Sequence, residues 1–93
     1  MPVQLTARIR KTADKLPPNV RESANKAIAL VGSSFGDPHL HRGLGLRKLA
    51  RRSHEIRVHL QWRVVFILDG DNLIAYDIMD HDELSRWVRG QRK

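Results

Sequence analysis

Three residues of this chain have side chains suited to chemistry on a phosphodiester: Arg57, Arg63 and His81. The two arginines sit in adjacent apolar runs, HEIRVHL and WRVVFIL, joined through His59-Leu60-Gln61. With that segment as the turn, opposed residues have numbers summing to 120, so Ile56 faces Val64, Val58 faces Trp62 and Arg57 faces Arg63. Like charges directly opposed across a sheet destabilise it. A bound anion reverses the sign, because two guanidinium forks can grip one phosphate. Arginines so placed stabilise charge building on the non-bridging oxygens, and a histidine, titrating near neutrality, can protonate a leaving 5′ oxygen. RNA brings its own nucleophile, the 2′-OH, so this set requires no metal and no cofactor.

The elements that must position these residues are legible in the patterning. HEIRVHL alternates, with Ile56, Val58 and Leu60 on one side, and WRVVFIL is a nearly continuous β-branched and aromatic run, as in a central strand. Asp69-Gly70-Asp71-Asn72 is a hairpin turn, and LIAYDIM is the next strand. A turn at Gly70-Asp71 makes pairs sum to 141, so Arg63 faces Ile78. His81 then lies three residues further, roughly 10 Å along the sheet, where strict alternation sends it to the opposite face. Asp80 and Glu83 have capping-box spacing, and Leu84, Trp87 and Val88 make the apolar side of a short last helix ending at Gly90.

Upstream, Leu5, Ile9, Ala13 and Leu16 recur at helical spacing until Pro17-Pro18. Asn19 with Glu22 then reads as the cap of a second helix, striped by Val20, Ala24, Ala27, Ile28 and Val31 and ended by Gly32. Residues 32–45 hold four of the six glycines and read as a loop. The fold class is therefore α+β: an N-terminal helical hairpin on a small antiparallel sheet of three to four strands, with a short C-terminal helix.

Composition narrows the function. Ninety-three residues make one domain, residues 1–93, too small for a dinucleotide-binding doubly wound sheet. There is no Cys, which excludes disulfides, thiolate metal sites and Cys nucleophiles. No apolar run approaches the length of a membrane span or the core of a signal peptide, so a cytoplasmic protein with no membrane partner is expected. The net charge is +7 and unevenly placed. Residues 42–68 hold seven Lys and Arg against one acid, while residues 69–84 hold six acids and no Lys or Arg. A localised basic surface of this kind is a usual footprint of polyanion binding.

Residues 46–84, LRKLARRSHEIRVHLQWRVVFILDGDNLIAYDIMDHDEL, resemble the RelE/ParE superfamily of bacterial type II toxins, and the helical N-terminal part fits as well. The matching features are Lys48 in a basic cluster, Arg57 before a tight turn, Trp62-Arg63 after it, the Asp69-Gly70 hairpin and the late Asp80-His81 pair. The family begins with a strand, for which residues 1–5 are scarcely long enough, and its terminal base-stacking Tyr or Phe is not evident. Similarity to the YoeB and HigB branch implies a ribosome-dependent endoribonuclease that cleaves mRNA, with Arg57, Arg63 and His81 catalytic. It implies Lys48 and His59 as RNA contacts beside them, and mRNA, the ribosome and a cognate acidic antitoxin as partners. The residues themselves add three RNA contacts: Arg51 and Arg52 in the basic run RKLARR, which suits a phosphate backbone, and Tyr76, which falls on the arginine face in this register. The ParE branch implies instead a DNA gyrase inhibitor, and a basic face alone would suit a non-catalytic RNA-binding module.

Plainer roles compete for the same residues. Arg57 and Arg63 could be solvated and paired with Glu55 or Asp77, His81 could bond locally at a helix start, and Asp80 and Glu83 suit capping. Trp62, Trp87 and Tyr76 suit a core. His39 and His41 form an H-x-H with no placed third ligand, so no metal site is expected.

Overall fold

A computed structural model describes residues 3–34 and 45–91. Its elements in chain order are β1 (Val3–Leu5), α1 (Ala7–Lys15), α2 (Pro18–Ser34), β2 (Arg47–Lys48), β3 (Ser53–His59), β4 (Trp62–Asp69), β5 (Asn72–Asp80) and α3 (His81–Gln91). The strands form one sheet in the order β1-β5-β4-β3-β2. Four of them are antiparallel neighbours, while β1 runs parallel to β5 at the edge. The sheet is thus mixed and five-stranded, where three to four antiparallel strands were expected. Residues 3–5 are long enough for the first strand because a parallel edge pairing needs only the backbone, Val3 opposite Leu73 through Leu5 opposite Ala75.

Both faces of the sheet are covered. On one, Ile9 of α1, Leu16 of the turn after it, and Val20, Ala24, Ala27 and Val31 of α2 bury against Ile56, Val64, Phe66, Leu73, Ala75 and Ile78. On the other, Leu84 of α3 meets Val65 and Met79, with Leu49, Tyr76, Trp87 and Val88 around them. The alternation in β3 and the continuous apolar run of β4 follow from this division, since the central strand is covered on both sides.

The helix boundaries differ from the sequence reading at five points, one being that α3 runs past Gly90 to Gln91. Leu5 belongs to β1, and Thr6 caps α1 by accepting the Ile9 N–H at 3.0 Å. α1 stops at Lys15 because a residue before proline avoids the helical region, and Leu16 is extended (ψ 154°). Arg21 then donates to the carbonyls of Ala13 (3.0 Å) and Leu16 (3.2 Å), satisfying the end of α1. α2 starts at Pro18, so Asn19 lies inside its first turn rather than capping it; proline suits that first position because it has no N–H to leave unpaired. Gly32 does not end the helix, which continues to Ser34. The rest of the expected 32–45 loop up to residue 44, with His39 and His41, falls outside the described residues. α3 begins as expected: the Glu83 N–H donates to Asp80 Oδ1 at 2.8 Å and the Asp80 N–H to Glu83 Oε1 at 3.3 Å, a reciprocal capping box. No helix among the described residues is long and apolar enough to cross a membrane.

Candidate active site

The β3–β4 hairpin opposes Ile56 to Val64 and Arg57 to Arg63. The pairing then shifts, and His59, not Val58, lies opposite Trp62, leaving a two-residue turn at Leu60-Gln61. The extra residue is Val58, which packs with the core under α1 and α2. This bulge also turns His59 away from the arginines: its Nε2 lies 3.4 Å from the Asn19 amide nitrogen, at the start of α2. Leu60 holds the turn with φ +41°, a conformation unfavourable for a side chain bearing Cβ.

A second bulge decides where His81 goes. Between β4 and β5, Phe66 pairs with Ala75 but Val65 pairs with Asp77, so Tyr76 is the inserted residue. From there to the strand end the numbers sum to 142, and Arg63 faces Met79 rather than Ile78. His81, two residues after Met79, therefore comes into phase with the arginines, where an unbulged ladder would have put it out of phase. The bulge is held from outside the sheet. The Thr6 hydroxyl donates to the Tyr76 carbonyl at 2.6 Å, and the Thr12 hydroxyl donates to Asp77 Oδ1 at 2.6 Å, which also accepts the Ile78 N–H at 2.8 Å. Asp77 is thus committed to α1 and its own backbone, not to an arginine.

Arg57, Arg63 and His81 line one cleft of about 640 Å³, with Leu60 and Gln61 from the hairpin tip. Arg57 and His81 are exposed. Arg63 is not: its side chain is 12% exposed, and its Nε lies 3.4 Å from Oε1 of Glu55, itself 7% exposed. Arg47 reaches the same oxygen at 3.3 Å. Glu55 Oε2 and Arg63 Nη1 are buried without hydrogen-bond partners. One carboxylate thus anchors two guanidinium groups and leaves net positive charge at the cleft. Glu55 is the residue whose role the sequence reading missed, apart from noting it as a possible ion-pair partner. Its parity with Arg57 along β3 was the available signal, because both point to the α3 side.

The remaining predicted contacts scatter. Lys48 is exposed, but it pairs with His54 and so alternates to the face opposite Arg47. Arg51 and Arg52 are exposed in the β2–β3 connection, at the other end of β3 from the hairpin tip. Tyr76 is half-buried between the Trp87 ring, 5.4 Å away, and the Arg8 guanidinium, 5.3 Å from its centroid. Trp62 packs with the main core.

On either side of His81 in the chain, the Glu83 N–H bonded to Asp80 holds the Asp80 carboxyl below the usual carboxylate range, while burial pushes Glu83 up. The α3 start that carries His81 is therefore fixed by an ionised cap at neutral pH.

No protein-family model and no curated protein matches this chain. Solved structures do. The RelB–RelE antitoxin–toxin complex from Methanococcus jannaschii matches with TM-score 0.70 at 16% identity, over 90% of this chain and 96% of that one. The toxin–antitoxin complex RelBE2 from Mycobacterium tuberculosis matches with TM-score 0.53 at 19% identity, over 85% of this chain and 95% of that one. At these identities the likeness is one of tertiary structure, and by it the chain has the RelE-like fold.

Proposed function

We propose that this protein is the toxin of a type II toxin–antitoxin pair, a single-domain cytoplasmic endoribonuclease that cleaves mRNA on the ribosome without a metal. The observation that carries the reading is the common cleft of Arg57, Arg63 and His81. In the reaction the RNA 2′-OH gives up its proton to water and attacks the adjacent phosphorus, the P–O5′ bond breaks, and a 2′,3′-cyclic phosphate and a 5′-OH result. Arg57 and Arg63 face the developing charge on the non-bridging oxygens. His81 protonates the leaving O5′. The excess positive charge of the cleft suits an acidic antitoxin segment, which would cover the same arginines. The neighbours of known structure are themselves complexes of a toxin with an antitoxin.

Mapping of RNA ends on translating ribosomes tests this. The wild type should cut the message, and His81→Ala should cut it about 10²–10⁴-fold more slowly. Because His81 is exposed, the substitution leaves the core intact. Intact message with the wild type would overturn the enzyme. The buried Arg63–Glu55 pair favours a second reading, in which the basic face binds RNA, or as in the ParE branch a protein target such as gyrase, without cleaving. Salt-sensitive RNA binding with intact RNA, or supercoiling inhibition indifferent to His81→Ala, would select it.

A further inference from the structure

Two more clefts lie along α3 on the face that carries the arginines. The first, of about 390 Å³, shares Arg63 and His81 with the candidate active site and adds Arg47, Ser85 and Arg89. The second, also about 390 Å³, lies where α3 ends and is lined by Arg51, Arg52, Ser53, Trp87 and Gln91, among others. No carboxylate is among the described residues lining any of the three. Ser53 is 4% exposed, and its hydroxyl has no hydrogen-bond partner. A buried hydroxyl left unpaired is costly, so its presence in the lining of a cleft needs a reason.

We propose that these clefts form one track for a single RNA strand, and that the Arg51–Arg52–Ser53–Trp87 cleft is a second subsite taking a phosphate and base of that strand away from the reacting phosphate. Arg51 and Arg52 supply the guanidinium pair for the phosphate. Trp87, held at a 34° tilt against the Tyr76 ring, supplies an aromatic edge for a base. The Ser53 hydroxyl turns about its one side-chain torsion to donate to an entering oxygen. Ser53 and Arg57 have the same parity on β3, and four residues of strand separate the two subsites by about 13 Å. α3, from His81 to Gln91, spans about 15 Å, which matches. At about 3.4 Å per stacked nucleotide this distance holds roughly four nucleotides. The identity of the strand rests on the ribonuclease reading; the second subsite does not need the chemistry.

Fluorescence anisotropy with 2′-O-methyl oligoribonucleotides, which cannot be cleaved because the 2′ oxygen is blocked, tests it. An octamer should bind at least tenfold more tightly than a trimer. The Arg51→Ala/Arg52→Ala protein should lose most of that gain, and the salt slope of octamer binding should fall by about one. Ser53→Ala should weaken octamer binding severalfold while leaving the melting temperature the same or higher, because it removes an unpaired buried hydroxyl. Arg57→Ala should weaken trimer and octamer alike. An octamer no tighter than the trimer, or a length gain that survives Arg51→Ala/Arg52→Ala, overturns the second subsite. A lower melting temperature for Ser53→Ala with unchanged binding overturns the role of Ser53. A length gain that depends on Arg51 and Arg52, together with failure to cleave unmodified RNA on ribosomes, supports the track and removes the ribonuclease. Absence of oligonucleotide binding at any length overturns the track, and the ribonuclease is then decided by the end mapping on ribosomes alone.

Discussion

Replacing Glu55 and Arg63 singly and together separates what holds the cleft from what works in it. The Arg63 Nε to Glu55 Oε1 distance of 3.4 Å, with both side chains at most 12% exposed, corresponds to a gross attraction of about 5 kcal/mol at an effective dielectric constant of about 20. Desolvation of the two ions offsets most of that. The contact is also single rather than forked, with Arg63 Nη1 and Glu55 Oε2 unpartnered. Leaving one charge buried alone is the larger effect. Glu55→Leu strands Arg63, and a cost of about 3 kcal/mol is expected, at the low end for a broken buried pair. Arg63→Met leaves Glu55 with Arg47, whose side chain is 71% exposed and repays little, so about 2 kcal/mol is expected. The double replacement removes both charges and should cost no more than about 2 kcal/mol, a coupling of roughly 3 kcal/mol. Urea unfolding followed by far-ultraviolet circular dichroism measures all four proteins. Glu55→Leu should lower the melting temperature by about 12–24 °C. Additive losses, with coupling below about 0.5 kcal/mol, would show that the pair is not what anchors Arg63. The double variant, folded but without Arg63, should not cleave RNA.

Arg57→Ala removes a like-charge opposition across the hairpin and should raise stability by about 0.2–1 kcal/mol while abolishing cleavage; a destabilised variant would mean that Arg57 is held by an attraction in the free protein. Leu60, 76% exposed at φ +41°, relaxes on Leu60→Gly: relief of about 1–2 kcal/mol of left-handed strain against about 0.5–1 kcal/mol of added chain entropy leaves a melting temperature equal or a few degrees higher. Asp80 is held ionised by the Glu83 N–H, so its folded value lies below the unfolded value of about 3.9, and its contribution is present above that value and lost as pH falls through the folded one. Glu83 is shifted the other way by burial and opposes this, favouring the fold at low pH and losing that contribution as pH rises through its folded value. Asp80→Asn, which keeps a capping oxygen, should therefore flatten the acid limb of the stability–pH profile below about pH 4, with little change at pH 7. An unchanged acid limb would dissociate the cap from acid sensitivity.

Much of this site was written in local spacing. The facing of Arg57 and Arg63 follows from two apolar runs around a short turn, and the Asp80–Glu83 cap from a three-residue interval. The basic middle and the α+β order follow from composition and periodicity alone. What the sequence could not decide is where a ladder slips. An inserted residue at Val58 or Tyr76 leaves period-two patterning nearly intact, because its cost is set by groups elsewhere in the chain. The Tyr76 bulge persists because Thr6 and Thr12, some seventy residues upstream, take up the polar groups it frees. That slip turns His81 toward the arginines, and the one at Val58 turns His59 away. The burial of Glu55 beneath Arg47 and Arg63 has the same origin: a lone acid in a basic segment reads as surface until packing on both faces of the sheet closes over it. Local spacing decides which charges oppose each other along one hairpin; long-range packing decides which imidazole joins them.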